Sequence, residues 1–192
     1  MNKLGLGATL VVAATLACAS PAMAQATKKK MQRVSPQATV TCTIDGSEIK
    51  LVYGRPFTVK PGTTEVRKIW GGLVPFGKVW RTGANEATLL TTKDPIEIGG
   101  TTLPAGSYNL FTVPEEDGSA KLVINKKLRR WGIPYEEAAE KANELARIDL
   151  KKETLDKAVD QFTMAIEPAS SGGVLKMAWE KTQYSVPFSV KK

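Results

Sequence analysis

The sequence predicts an all-β protein, an antiparallel, jelly-roll-like β-sandwich with one short peripheral helix at about 134–146, and three observations carry that prediction. Short apolar or alternating runs recur between Gly, Pro, Asn and Asp punctuation. Turn chemistry separates neighbouring runs, as at Gly99-Gly100 and Pro104-Ala105-Gly106, where glycine supplies the positive φ a tight turn demands. A single stretch, 133–148, carries apolar residues at helical spacing.

The elements follow in order. In "TVTCTI" (39–44), Val40, Cys42 and Ile44 alternate with threonines, the period of a half-buried strand, so Cys42 is expected to be a small core residue. "EIKLVY" (48–53), "EATLLTT" (86–92), "PIEI" (95–98), "SYNLFTV" (107–113) and "AKLVIN" (120–125) read as further strands. "DQFTMAIE" (160–167), "GVLKMAWE" (173–180) and "YSVPFSV" (184–190) close the series, and the alternation in "KMAWE" places Trp179 in the core. "IPYEEAAEKANELARI" (133–148) has Pro134 at a first-turn position, acids near the positive helix end, and Ala138, Ala142 and Leu145 as an inner stripe.

Residues 1–24 read as an export signal: Lys3 is the positive end, Leu4–Ala17 the apolar stretch, and Ala22-Met23-Ala24 the cleavage site. The apolar run is shorter than the ~20 residues that span a bilayer, so no transmembrane segment is expected. The expected location is periplasmic or secreted; a lipoprotein attached through Cys18 is the second reading, against which Thr15 stands. Residues 25–36 read as a disordered basic leader and 37–190 as a single sandwich domain.

Positive charge is unevenly placed. Residues 50–93 hold eight basic side chains against Glu65 and Glu86, whereas Asp94 to the end holds 14 basic and 15 acidic. An anionic partner would therefore meet the N-terminal half, as an anionic small molecule or an envelope glycan. Nucleic acid is not expected, since no binding module is present. The chain contains no histidine. That excludes a Ser-His-Asp triad, a Cys-His pair and a histidine-bearing zinc site. No Asp-rich ligand loop or phosphate loop appears, so neither a metal nor a cofactor is expected.

"VYGRP" (52–56), "RKIWGGLVPFGKVWRTGANEAT" (67–88), "LPAGSYNLFTVP" (103–114) and "MAWEKTQYSVPF" (177–188) together resemble a family of exported bacterial proteins catalogued as domain of unknown function 2911. The resemblance covers about 35–190 and implies the domain extent and an exported setting. It marks "WRTGANEAT" as a signature and assigns no reaction. "KPGTTEV" (60–66) and the Ala-rich helix depart from the family pattern.

Within "KVWRTGANEA" (78–87), Gly83 marks a bend entering the following strand, and Asn85 can bond a neighbouring amide. Two readings of Arg81 stand side by side. In one it pairs with Glu86 or braces loop carbonyls. In the other, Arg81, Asn85 and Arg55 form a donor-rich pocket beside Trp80 and Trp70, with Arg55 nearer the ligand because no acid adjoins it in sequence. The candidate ligand-binding residues are thus Arg55, Trp70, Trp80, Arg81, Asn85 and Glu86, with no catalytic residue assigned. The expected function is a non-catalytic ligand-binding or interaction module of the cell envelope. The alternative is a histidine-independent, glycosidase-like hydrolase pairing Glu86 with Glu97 or Glu180.

Overall fold

The computed structural model describes residues 33–128, 131 and 133–192. Residues 1–24, read from sequence as an export signal, and 25–32 of the expected leader lie outside the described residues. Arg33–Lys192 form one compact unit. Its strands are β1 (Gln37–Ile44), β2 (Ser47–Gly54), β3 (Thr88–Thr92), β4 (Ile96–Ile98), β5 (Thr101–Leu103), β6 (Gly106–Pro114), β7 (Ala120–Asn125), β8 (Glu144–Asp149), β9 (Lys151–Pro168) and β10 (Gly173–Val190), with the helix α1 (Glu137–Glu140) ahead of β8.

Two antiparallel sheets pack as a sandwich, one in the order β1-β2-β3-β6-β7-β8, the other β5-β4-β10-β9. Alternation in the sequence decides which side chains meet between them. Ile49, Leu51, Leu110 and Leu122 from the larger sheet face Ile96, Phe162, Met177 and Trp179 from the smaller, all 2 % exposed or less. A cluster of aromatic rings fills the centre. Trp80 stacks on Trp179 at 6.0 Å, Phe162 meets Trp80 edge-on at 5.0 Å, and Trp70 stands edge-on to Trp80, Trp179 and Tyr184. Edge-to-face contacts set the positive ring edge against the negative face and fix these orientations. The Trp179 indole donates to Thr58 Oγ1 at 3.0 Å, which satisfies its one polar atom.

Between Thr163 and Thr154 β9 takes nine steps while β10 takes four, from Ala178 to Thr182. The surplus is absorbed in bulges, and Glu180 there adopts φ 50°. The bends bring the start of β10 back to its end: a Cβ at Gly172 would lie 2.1 Å from the Phe188 carbonyl oxygen.

The free edge of β9 is covered by the chain leaving β2. Met164 N donates to Tyr53 Oη at 2.9 Å, Phe162 N to Pro56 O at 2.9 Å, and Thr58 N to Asp160 O at 2.7 Å. Residues 53–58 therefore leave one sheet and pair with the other, which removes an exposed edge.

The helix is shorter than its sequence predicts. After α1 comes one 3-10 turn, Lys141–Asn143, and at Glu144 the backbone turns extended (φ −71°, ψ 128°) and enters β8. Pairing with β7 buries Ile148, at 7 % exposure, and tertiary burial overrides the helical preference of 144–146. The expected stripe is also reversed. Ala138 and Ala142 are exposed, and Glu140 is the buried side chain, its carboxylate receiving Asn125 Nδ2 at 3.3 Å with Lys127 Nζ 3.6 Å away.

Cys42 points to the core side of β1 but is half-buried rather than enclosed. A thiol reagent is expected to label it without denaturant, more slowly than in the unfolded chain, since partial cover slows access without preventing it. Complete protection over hours, followed by thiol counting in guanidinium, would contradict this placement.

Candidate functional site

The 81–87 loop is seated by a contact that only glycine permits. A Cβ on Gly54, at the end of β2, would stand 1.9 Å from the Ala84 carbonyl oxygen, and Ala84 N donates to Gly54 O at 3.2 Å. Just upstream, Trp80 exchanges two 2.8 Å backbone bonds with Thr112, and Gly77 N donates to Pro114 O, so 77–80 runs beside β6 beyond the end of β3. These anchors fix both ends of the loop.

Between them the backbone is strained. Thr82 has φ 51°, Gly83 φ 152° and Asn85 φ 65°. A β-branched residue in this region is a genuine outlier. Thr82 is held there by burial, by its hydroxyl 2.8 Å from that of Thr112, and by a 2.6 Å bond from Thr88 Oγ1 to its carbonyl. Strain that the surroundings over-determine concentrates at binding sites and switches.

Arg81 emerges from this loop half-buried. Its Nη1 donates to the carbonyls of Asn85 and, at 3.3 Å, Trp131. Burial pulls its guanidinium below the ordinary arginine range, and the charge of Glu86 partly offsets that. Its Nε and Nη2 have no hydrogen-bond partner among the described residues. Asn85 Nδ2 donates to Ser35 O at 3.2 Å.

Arg81 and Asn85 line a cleft of about 220 Å³ together with Trp80, Arg67, Ser35 and the edge of Trp179. No carboxylate lines it among the described residues. Arg67 spends its Nη2 on the Phe57 carbonyl and its Nε, at 3.5 Å, on that of Thr58.

The sequence-predicted residues are only partly brought together. Trp80, Arg81 and Asn85 share the cleft. Trp70 packs into the aromatic core instead. Arg55 turns toward β9, its Nε donating to Phe162 O at 3.1 Å and its Nη2 to Thr163 Oγ1 at 2.8 Å. Arg81 braces loop carbonyls, as the first reading expects, and also lines the opening, whereas Arg55, expected nearer a ligand, fastens the sheets. Glu86 receives both terminal nitrogens of Arg33 and borders a neighbouring hollow with Gln37 and Leu128. Residues 33–36, read from sequence as leader, thus reach the loop, and Arg55 N also donates to Pro36 O. Arg67, Ser35 and Ile133 were not singled out from sequence, because nothing local links them to a loop many residues away.

The three carboxylates proposed for hydrolysis have separate surroundings. Glu97, on β4, bonds Lys191 at 2.6 Å; Glu180 lines a different hollow beside Asp160, and burial raises its carboxyl above the usual range. No group of three or more His, Cys, Asp or Glu among the described residues could hold a metal ion. No helix among them is long and apolar enough to cross a membrane.

Fold and cleft together define a β-sandwich domain that presents arginine donors at a strained, glycine-seated loop. The chain belongs to the family described as "Protein of unknown function (DUF2911)", whose profile matches residues 35–188. No curated protein and no solved structure matches it.

Proposed function

We propose that this protein is an exported, non-catalytic binding module of the cell envelope whose 81–87 cleft receives an anionic group. The observation that supports the reading best is Arg81: a half-buried guanidinium with two donors unspent, beside a second arginine, in a hollow that no acid lines among the described residues. A partly desolvated cation without a hydrogen-bonded counter-charge gains most from an incoming anion. The strained loop agrees with a site held ready in advance. The export signal read from residues 1–24 and the basic balance of 50–93 support a site met by envelope anions.

Arg81→Ala is expected to lower stability by only about 1–2 kcal/mol, because the two carbonyls it leaves can be rehydrated at the cleft mouth. The same change removes any thermal shift produced by anions. Arg81→Lys keeps the charge but loses the planar fork, and anion affinity falls about tenfold or more. Arg55→Ala destabilises at least as much as Arg81→Ala and leaves the anion response intact. A thermal-shift series with carboxylates and phosphates on the four proteins checks this; an unchanged response in Arg81→Ala would overturn the assignment.

A further inference from the structure

We propose that the ligand is an amphiphilic carboxylate, its head on the Nε–Nη2 edge of Arg81 and its apolar body in the trough that adjoins the cleft. This deepens the anion-binding reading and rests on it. The trough, about 520 Å³, lies between Leu73 and Tyr135 and shares Leu73, Trp80 and Ile133 with the arginine cleft, so the two hollows adjoin. Its volume falls within the range of small-molecule sites.

The trough wall is mainly apolar, formed by Leu73, Pro75, Val79, Trp80, Ile133 and Pro134. Leu73 and Ile133 remain 45 % and 38 % exposed, although both sit at the junction with the cleft. A bare anion would satisfy Arg81 and leave that apolar surface in water. A neutral apolar molecule would cover the surface and leave the guanidinium edge unpaired. Only a molecule with both characters uses the two adjoining hollows together.

Polarity along the trough sets the orientation. At the arginine end the lining holds two guanidiniums; at the other end Gly77 lies close to Glu115, whose Oε2 would be 3.8 Å from a Cβ there. Lys78 also lines the trough. Lys78 is a point-like cation, so it is the planar donor pair of Arg81, away from Glu115, that fixes the place of a carboxylate head. The Nε–Nη2 edge of a guanidinium presents two parallel in-plane donors, which match the two coplanar oxygens of a carboxylate.

The test uses the mature chain and a homologous series from butanoate to octanoate, with 1-alkanols and alkyl phosphates of matched length, titrated by tryptophan fluorescence and calorimetry. Carboxylate affinity is expected to rise about fourfold per methylene until the trough is filled. Matched alkanols bind at least tenfold more weakly, and Arg81→Ala erases that difference. Pro75→Ser, at an exposed position that lines the trough and not the arginine cleft, flattens the length dependence while butanoate binding persists. A flat series in the wild type, with butanoate binding still dependent on Arg81, overturns the amphiphile and leaves the anion site standing. Carboxylates and phosphates no better than alkanols at every length overturn both. Phosphates stronger than carboxylates throughout overturn the choice of head.

Discussion

Gly54→Ala is expected to lower stability by about 3 kcal/mol, the cost of forcing an atom into a packed contact, and so to lower Tm by about 10 °C at this chain length. The new methyl would stand 1.9 Å from the Ala84 oxygen and 2.8 Å from its carbonyl carbon, which are backbone atoms and cannot swing aside as a side chain can. The loop must lift, and the bond from Ala84 N to Gly54 O goes with it. The anion binding proposed for Arg81 is expected to be lost in the same step. Gly46→Ala is the control. Gly46 has φ 83° with nothing within 4 Å of the added atom, so its substitution pays backbone strain alone, about 1–2 kcal/mol. Equal losses in the two variants, by urea denaturation, would show that the close approach does not matter.

Trp179→Ala should be more damaging still, at about 3–5 kcal/mol. Trp179 is 1 % exposed and touches Trp70, Trp80 and Phe162, so its removal opens a void that neighbouring rings cannot fill without leaving their edge-on geometry. Thr58 Oγ1 loses its donor as well. Trp179→Phe keeps most of the apolar contact and loses the N–H, so a smaller cost of about 1–3 kcal/mol is expected. The denaturation midpoint of each variant checks the order. Trp179→Ala no worse than Trp179→Phe would mean that the ring system is not the keystone of the core.

The strands with alternating or continuous apolar runs were legible in the sequence, and "AKLVIN" is β7 residue for residue. The first half of β9 was not. "KKETLDKAVD" is largely exposed, so no apolar face marks it, and only pairing with β10 makes it a strand. β8 was hidden for the opposite reason, its sequence favouring a helix that burial against β7 forbids. At the site, Trp80, Arg81 and Asn85 could be grouped because they are neighbours in one motif. Arg55 could not be placed, since its partners on β9 are 107 and 108 residues away. Glu86 misled for a related reason: the nearest arginine in sequence is Arg81, yet the bidentate pair forms with Arg33, 53 residues upstream.

The passage of residues 53–58 from one sheet to the other also sets the order in which the molecule can assemble. Tyr53 and Met164 are 111 residues apart, and bringing them together closes a loop that holds most of the domain. A nascent chain ending at Asn125 would carry the whole 81–87 loop and Gly54, which seats it, but none of the β9 carbonyls or amides that fasten the corner. The corner therefore closes only once β9 has been made, and contacts of such separation slow folding. Such a chain stays unfolded longest while it is still being made, the condition in which a polypeptide can be threaded through a narrow channel.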